Sequence, residues 1–331
     1  MKTLIFIISI YFISFSNLCN ANLRILFSSA HNGNNYELYS MGTNGDDVTR
    51  ISYTSTLDEW APAISPNGLD IAFVSGTGGS NIYLTSVMGE LPVRLNNANE
   101  ALCVQFATTN TLYYLSNKGE NSGITEFQLW KINTDSSAET RAFTNEFTCW
   151  ALGSLDFSIN QANKNVYLSS FTSSYSKSFI QYGGVGDSCI QGLLIYDTSL
   201  GDRYAPELSV DGTKIAFCAD YSGGNHRLYS DDAVPGGANP TLICDTFCGS
   251  PSWIDNNSIV FTRAAQSTFG LTAYTGDIWR VDYSGSNLKK LTSLGSCAYP
   301  SVYEEIPEPG YLLFIICNLI LVHRRKFILI H

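Results

Sequence analysis

The side chains with the clearest chemical potential lie where short predicted strands begin. Glu59 and Glu100 each stand just before such a strand, and paired carboxylates can act as acid and base on glycosidic bonds. Corresponding positions elsewhere hold aromatic or basic residues, which suit a sugar ring or a peptide segment. The candidate binding residues are Glu59, Trp60, Glu100, Trp150, Arg203, Tyr204 and Tyr299. Packing of the aromatic residues between strands is the alternative interpretation.

Metal and nucleophile chemistry are not indicated by the sequence. Two histidines, His31 and His226, lie in the main part of the chain but in distant repeats, so a shared metal is not expected. The sequence contains no G-x-S-x-G nucleophile elbow, P-loop or HExxH motif. We therefore expect no catalytic residue, metal or cofactor, and the sequence leaves open whether the protein is an enzyme.

Cysteines are more informative about compartment than about catalysis. Of the nine, Cys19 and Cys317 lie near the ends, and an odd number remains between them, so at least one thiol has no partner within the chain. Cys244 and Cys248 bracket an Asp-Thr-Phe segment. They are the pair that we expect to form a disulfide if the protein is exported.

A repeated unit positions all of these residues. Its clearest copy is residues 60–85, WAPAISPNGLDIAFVSGTGGSNIYLT, which alternates short apolar strands with Gly-, Pro- and Asn-containing turns. The apolar second strand of the unit recurs near residues 25, 71, 112, 166, 215 and 259, at spacings of 41 to 54 residues. Such spacing is typical of four-stranded propeller blades. Aromatic residues at 13% and 27 glycines fit an all-β fold.

The two ends of the repeat array predict how the ring closes. The chain begins with the second strand of a unit and finishes with a first strand, AYPSVY at residues 298–303. We therefore expect six blades, the last strand completing the first blade and hiding sheet edges. In the fourth unit the sequence predicts a long insertion over residues 169–192, followed by a third strand, LLIYD, at Leu193.

The repeat resembles that of TolB-type β-propellers, which carry a Pro in the first strand, a Ser-Pro-Asp-Gly turn, an Ile-Ala-Phe strand, an Ile-Tyr strand and a closing Leu-Thr. Residues 60–75, WAPAISPNGLDIAFVS, and 204–219, YAPELSVDGTKIAFCA, match the first half, and residues 277–292, DIWRVDYSGSNLKKLT, match the second. The third and fourth units depart from the pattern. The resemblance implies a six-bladed propeller over residues 22–305.

The N-terminal residues 1–21 have the layout of a secretory signal. Lys2 precedes an apolar run from Leu4 to Phe15, and Ala21 is a small residue at which signal peptidase would cleave. An uncleaved membrane anchor is the alternative. Export across the inner membrane is therefore expected.

The C-terminal residues 306–331 resemble the PEP-CTERM sorting signal of Gram-negative bacteria. Pro307, Glu308 and Pro309 precede an apolar span and then a basic cluster. The resemblance implies recognition by an exosortase, transient membrane contact, and delivery to the cell surface or extracellular matrix. A retained C-terminal membrane anchor is the alternative.

Net charge limits the class of partner. The formal charge is −10 and charged residues are 15% of the chain, so nucleic acid is not an expected partner. The sequence thus predicts a binding module for a protein or a polysaccharide. The alternative is a carbohydrate-active lyase or hydrolase that uses carboxylates at the channel rim. Ligand identity, oligomeric state and disulfide pairing are not determined by the sequence.

Overall fold

The computed structural model describes residues 22–33, 35–76, 80–96, 101–116, 126–142, 149–150, 157–160, 165–171, 178–184, 192–193, 200–201, 203–221, 225–236, 240–264 and 275–305. The described residues within Arg24–Tyr303 belong to one compact unit. Glu100 and the Pro307–Pro309 motif lie outside the described residues, as does the segment 1–21. No membrane-spanning helix occurs in the described ranges.

The described regular structure consists of strands. In chain order they are β1 (Asn22–Ser29), β2 (Glu37–Gly42), β3 (Thr49–Arg50), β4 (Trp60–Ile64), β5 (Asp70–Ser75), β6 (Asn81–Ser86), β7 (Val93–Arg94), β8 (Ala101–Thr108), β9 (Thr111–Ser116), β10 (Glu126–Asn133), β11 (Thr140–Arg141), β12 (Cys149–Trp150), β13 (Phe157–Ile159), β14 (Asn165–Phe171), β15 (Ser178–Gly184), β16 (Gly192–Leu193), β17 (Arg203–Leu208), β18 (Lys214–Tyr221), β19 (Asn225–Asp232), β20 (Thr241–Cys244), β21 (Cys248–Trp253), β22 (Ser258–Arg263), β23 (Asp277–Asp282), β24 (Lys289–Lys290) and β25 (Cys297–Glu305).

These strands form six antiparallel sheets, the blades of a β-propeller. Blade 1 has the strand order β25-β1-β2-β3, so the last strand of the chain pairs with the first. Blades 2 to 6 are β4–β7, β8–β11, β13–β16, β17–β20 and β21–β24, and β12 pairs with β10 beside blade 3. The predicted six-bladed fold, closed by the C-terminal strand on the N-terminal blade, is confirmed.

Each blade buries both faces against its neighbours, which explains why the second strands are continuously apolar. In β1, Ile25 and Phe27 pack on blade 6 beside Val260. The intervening Leu26 packs on blade 2 with Phe73. All five side chains are fully buried, so alternate residues of one strand pack against the two neighbouring blades.

A polar brace repeats at the outer part of the blades. In blade 6, Lys290 Nζ lies 2.8 Å from Asp277 Oδ2, and the backbone N–H of Ile278 donates to Thr292 Oγ1 at 2.9 Å. The Thr292 hydroxyl thus accepts a hydrogen bond from a backbone N–H that lies beyond the end of the β23–β24 pairing. A buried N–H without an acceptor would cost free energy of folding. Equivalent braces join Arg50 to Glu37 and Leu38 to Ser52 in blade 1, and Arg94 to Asn81 and Ile82 to Asn96 in blade 2.

Two sequence predictions for blade 4 were wrong in detail. Residues 178–184, predicted to lie in an insertion, form β15 and pair along the whole of β14. Leu193, predicted to begin the third strand, belongs to the outer strand β16 and pairs with Gln181. Phe179 and Ile180 are buried, so they supply the apolar face that had been assigned to LLIYD.

Candidate functional site

Three aromatic residues meet where strands of blades 1 and 2 begin. Trp60 is the first residue of β4, Tyr36 immediately precedes β2, and Tyr299 lies in β25. The ring centroids of Trp60 and Tyr36 are 3.8 Å apart with the planes tilted by 32°, and those of Trp60 and Tyr299 are 6.0 Å apart in an edge-on arrangement. All three side chains are half-buried. We call these three residues the aromatic cluster.

Blade 6 contributes to the same place. The side chain of Tyr36 hydrogen bonds to that of Thr275, and burial raises the pKa of this tyrosine above its usual value despite that bond. The backbone of Tyr36 is also fixed by the segment that precedes β4. Its N–H donates to Asp58 Oδ1 at 2.8 Å, and its carbonyl accepts from the N–H of Glu59 at 2.9 Å. The cluster is therefore held by three consecutive blades.

The first strands share an unusual backbone feature at this end. Four non-glycine residues that each precede a proline adopt positive φ: Ala61 (46°), Ala205 (47°), Ser250 (47°) and Tyr299 (52°). The pairing of β4, β17 and β21 with their neighbours shifts register at these positions. Left-handed backbone costs a non-glycine residue about 1–2 kcal/mol, and strain of this kind is often retained at functional sites.

The inner strands enclose a cavity along the axis of the propeller. Its volume is about 170 Å³, and its walls include Pro62, Pro251 and Pro300 with the serines and backbone beside them. Tyr299 lines this cavity and also belongs to the aromatic cluster. The cluster thus adjoins the axial cavity through Tyr299, and we call this place the channel mouth; a ligand-binding role for its residues stays a prediction.

Glu59 lies next to Trp60 in sequence but points into the protein. It has no exposed surface; Thr54 Oγ1 donates to its Oε1 at 3.0 Å and the N–H of Leu38 to its Oε2 at 3.2 Å. Ser52 Oγ also contacts Oε2. Burial raises the pKa of Glu59 to about 7. These contacts give Glu59 a structural role in the segment between β3 and β4, and its role in ligand binding stays a prediction.

Arg203 and Tyr204 are also directed inward. The guanidinium of Arg203 lies 4.8 Å from the ring centroid of Phe179, and its Nη1 donates to the carbonyl of Gly201 at 3.1 Å. The ring of Tyr204 stands 4.8 Å from that of His226, and Arg203 and Tyr204 are both buried. They pack within and beside blade 5, so of the predicted rim the structure brings together Trp60 and Tyr299.

The remaining candidates have separate outcomes. The backbone of Trp150 lies in β12, where it pairs with Glu126 of β10 instead of leading directly into blade 4.

Tyr36 was not among the predicted site residues, because the prediction covered only residues that enter first strands, whereas Tyr36 leads into a third strand. An aromatic residue directly before ELYSMG was the available signal.

Cys244 and Cys248 are both free, buried thiols in the structure. The hydrogen bond from Cys248 lowers the pKa of the Cys244 thiol to about 6, against the opposing effect of burial. Burial raises the pKa of Cys248. The predicted disulfide between them stays a prediction for the oxidised protein. Within the described residues, no group of His, Cys, Asp and Glu side chains is placed to hold a metal ion.

Comparison with known proteins identifies the fold. No protein-family model and no curated protein sequence matches the chain. The crystal structure of TolB from Acinetobacter baumannii aligns with a TM-score of 0.67 and 16% identity over 84% of this chain and 66% of that chain. The chain has the TolB propeller fold. A putative TolB from Agrobacterium tumefaciens aligns with a TM-score of 0.60 and 12% identity, over 87% of this chain and 100% of that one.

A second class of propeller is also similar. A chain in the crystal structure of a nidogen/laminin complex aligns with a TM-score of 0.64 and 9% identity, covering 85% of this chain and 98% of that chain. At these identities the likeness concerns the fold. This chain spans 66% of the length of the Acinetobacter TolB chain.

Proposed function

We propose that this protein is an exported β-propeller that binds a macromolecular partner at the channel mouth. The observation that carries the proposal is the aromatic cluster of Tyr36, Trp60 and Tyr299, because partly exposed, rigidly held aromatic rings are typical anchors of binding surfaces. A protein partner is favoured by the similar propeller in the nidogen/laminin complex. A polysaccharide partner is the alternative, since the same rings suit sugars.

The predicted processing signals support the cellular setting of this proposal. Residues 1–21 would be removed by signal peptidase, and an exosortase would process the tail at Pro307–Pro309. Residues 22–305 would then reach the cell surface or extracellular matrix as the propeller.

Mass spectrometry of the protein recovered from outside the cytoplasm should therefore find a mature N-terminus at Asn22 and no peptide beyond Pro309. Changing the Pro307–Pro309 motif to alanines should leave the apolar tail attached and retain the protein in the membrane fraction. Recovery of the unprocessed tail from the wild-type protein, in the membrane, would instead support the alternative of a plain anchor.

Replacing Trp60 with alanine should reduce partner capture at least tenfold, as expected for loss of a central aromatic anchor worth more than about 1.4 kcal/mol. Wild-type and Trp60→Ala proteins would serve as parallel baits for exported proteins of the same cells, with a glycan array beside them. Tyr53→Ala is the matched control, because Tyr53 is an exposed aromatic residue that packs against Arg50 instead of the cluster.

The comparison has clear alternatives. A partner that both baits capture equally would place binding elsewhere. Saturable binding on the glycan array, lost with Trp60→Ala, would identify a polysaccharide as the partner. Trp60→Phe retains a ring against Tyr36 and should recover part of the capture, which separates loss of the anchor from loss of folding.

A further inference from the structure

A second cavity opens beside blades 5 and 6, away from the axial channel. Its volume is about 360 Å³, at the lower end of the range for small-ligand sites. Phe247, in the linker between β20 and β21, and Trp279 of β23 supply aromatic walls, and Arg263 and Lys290 supply cations. A cavity with aromatic walls and adjacent cations suits a ring that carries a negative charge.

The guanidinium of Arg263 is held in an orientation that suits a negatively charged ligand. Its Nε donates to Thr246 Oγ1 at 2.7 Å, and its guanidinium carbon lies 4.6 Å from the centroid of the Trp279 ring. These contacts fix the plane of the guanidinium. Among the described residues, its two terminal nitrogens make neither a hydrogen bond nor an ion pair. A fixed guanidinium fork with both ends available matches the two oxygens of a carboxylate.

Lys290 differs from Arg263 because its charge is already compensated. Its Nζ pairs with Asp277 Oδ2 at 2.8 Å, while Asp277 Oδ1 accepts from the N–H groups of Leu294 and Gly295 at 2.8 and 3.0 Å. Asp277 is thereby fixed in place. An ammonium has three donors, so Lys290 retains donors for hydroxyl groups while the terminal nitrogens of Arg263 receive the carboxylate.

We propose that this cavity binds a uronic acid residue of an acidic polysaccharide, with its carboxylate on Arg263 and its ring between the aromatic walls. The site lies apart from the aromatic cluster and does not depend on it. An isolated acidic side chain of a peptide would satisfy the guanidinium but would leave most of the 360 Å³ cavity beside Phe247 unfilled.

Titration of the full-length protein with galacturonate, glucuronate and trigalacturonate, followed by tryptophan fluorescence and calorimetry, tests the proposal. Saturable binding is expected for these uronates, and binding at least tenfold weaker for galactose and glucose. Affinity should fall as salt rises, because the main contact is ionic. Arg263→Gln should weaken uronate binding about 10- to 100-fold, in line with the loss of charge-assisted hydrogen bonds.

Arg141→Gln is the matched control, because Arg141 also stacks over a tryptophan, Trp130, at 5.7 Å but does not line this cavity. It should leave uronate affinity unchanged. Arg263→Lys keeps the charge without the fork and should bind with intermediate affinity. Equal affinity for neutral sugars, no effect of Arg263→Gln, or tighter binding of a tetraglutamate peptide would each overturn the proposal.

Discussion

Replacing Gly45 with alanine should destabilise the propeller by about 2–4 kcal/mol, the sum of overpacking and unfavourable left-handed backbone. Gly45 lies in the turn between β2 and β3 and has a φ of 91°. A Cβ added there would lie 2.6 Å from the carbonyl oxygen of Leu291, just beyond β24. The contact crosses the seam between blades 6 and 1, where the ring closes. Chemical denaturation of the two proteins at equilibrium would measure the loss.

Gly236→Ala is the matched control for Gly45→Ala. Gly236 has a similar φ of 81°, but a Cβ added there would meet no atom within 4 Å. It should therefore show only the conformational cost of about 1–2 kcal/mol. If Gly45→Ala and Gly236→Ala lowered the free energy of unfolding equally, the close approach to Leu291 would make no contribution to the cost. Gly89→Ala, whose Cβ would lie 2.5 Å from the carbonyl oxygen of Ile51, should behave like Gly45→Ala at the next blade boundary.

The glycine contacts show what a sequence pattern can and cannot specify. Thr43-Asn44-Gly45 predicted a tight turn because Asn-Gly favours positive φ, and the turn is present, with the N–H of Gly45 bonded to the carbonyl of Gly42 at 3.0 Å. The contact of that turn with Leu291 depends on residues about 250 positions apart. Local turn chemistry contains no information about this contact with Leu291. The contact nevertheless limits how closely the neighbouring blades approach each other.

In blade 4, tertiary packing overrides the local propensity of the sequence. The residues of β15, SFIQYGG, end in two glycines and follow a serine-rich segment, so their propensity favours a loop. Tertiary packing decides otherwise, because Phe179 and Ile180 fill the space between blades. The stronger apolar run LLIYD attracted the prediction instead. In blades 2, 5 and 6, where propensity and packing agree, the second strands predicted near residues 71, 215 and 259 correspond to β5, β18 and β22.

The candidate site was predictable only in part. Position at the start of a first strand identified Trp60 and Tyr299, which do lie together. It also selected Glu59 and Arg203, because sequence position indicates where a backbone enters the ring but not which way a side chain points. The register shifts at the Xaa-Pro positions change that direction locally. Side-chain direction therefore had to come from the structure.

The buried carboxyl group of Glu59 should make the stability of the fold depend strongly on pH, because it shares the Ser52 hydroxyl with a second glutamate. Ser52 Oγ donates to Glu37 Oε2 at 2.7 Å and also contacts Glu59 Oε2. A hydroxyl has one proton to donate, so a proton on Glu59 supplies the second hydrogen bond. Glu37 is compensated by Arg50 at 2.8 Å. Burial foremost, with repulsion from Glu37, raises the pKa of Glu59 to about 7.

Glu59→Gln should abolish a loss of stability that the wild-type protein shows between about pH 5 and pH 8. The folded-state pKa lies above the unfolded value of 4.5, so protonated Glu59 stabilises the fold fully below pH 4.5. This stabilisation is lost as pH rises through about 7. At pH 8 the ionised, buried carboxylate should cost about 2–3 kcal/mol. Glutamine keeps the shape and a donor hydrogen at every pH, so the variant should be the more stable protein at pH 8.

Denaturant unfolding of both proteins at pH 5, 6, 7 and 8 checks this expectation. The difference in unfolding free energy should be small at pH 5 and should grow steadily to pH 8 in favour of Glu59→Gln. Glu90→Gln is the control, since Glu90 is exposed and its substitution should give no such trend. Because the backbone N–H of Leu38 donates to Glu59 Oε2, alkaline loosening of the Glu59 contacts should also raise hydrogen exchange at Leu38. Parallel stability curves for the two proteins would mean that Glu59 is already ionised at pH 5 and that its contacts tolerate the charge.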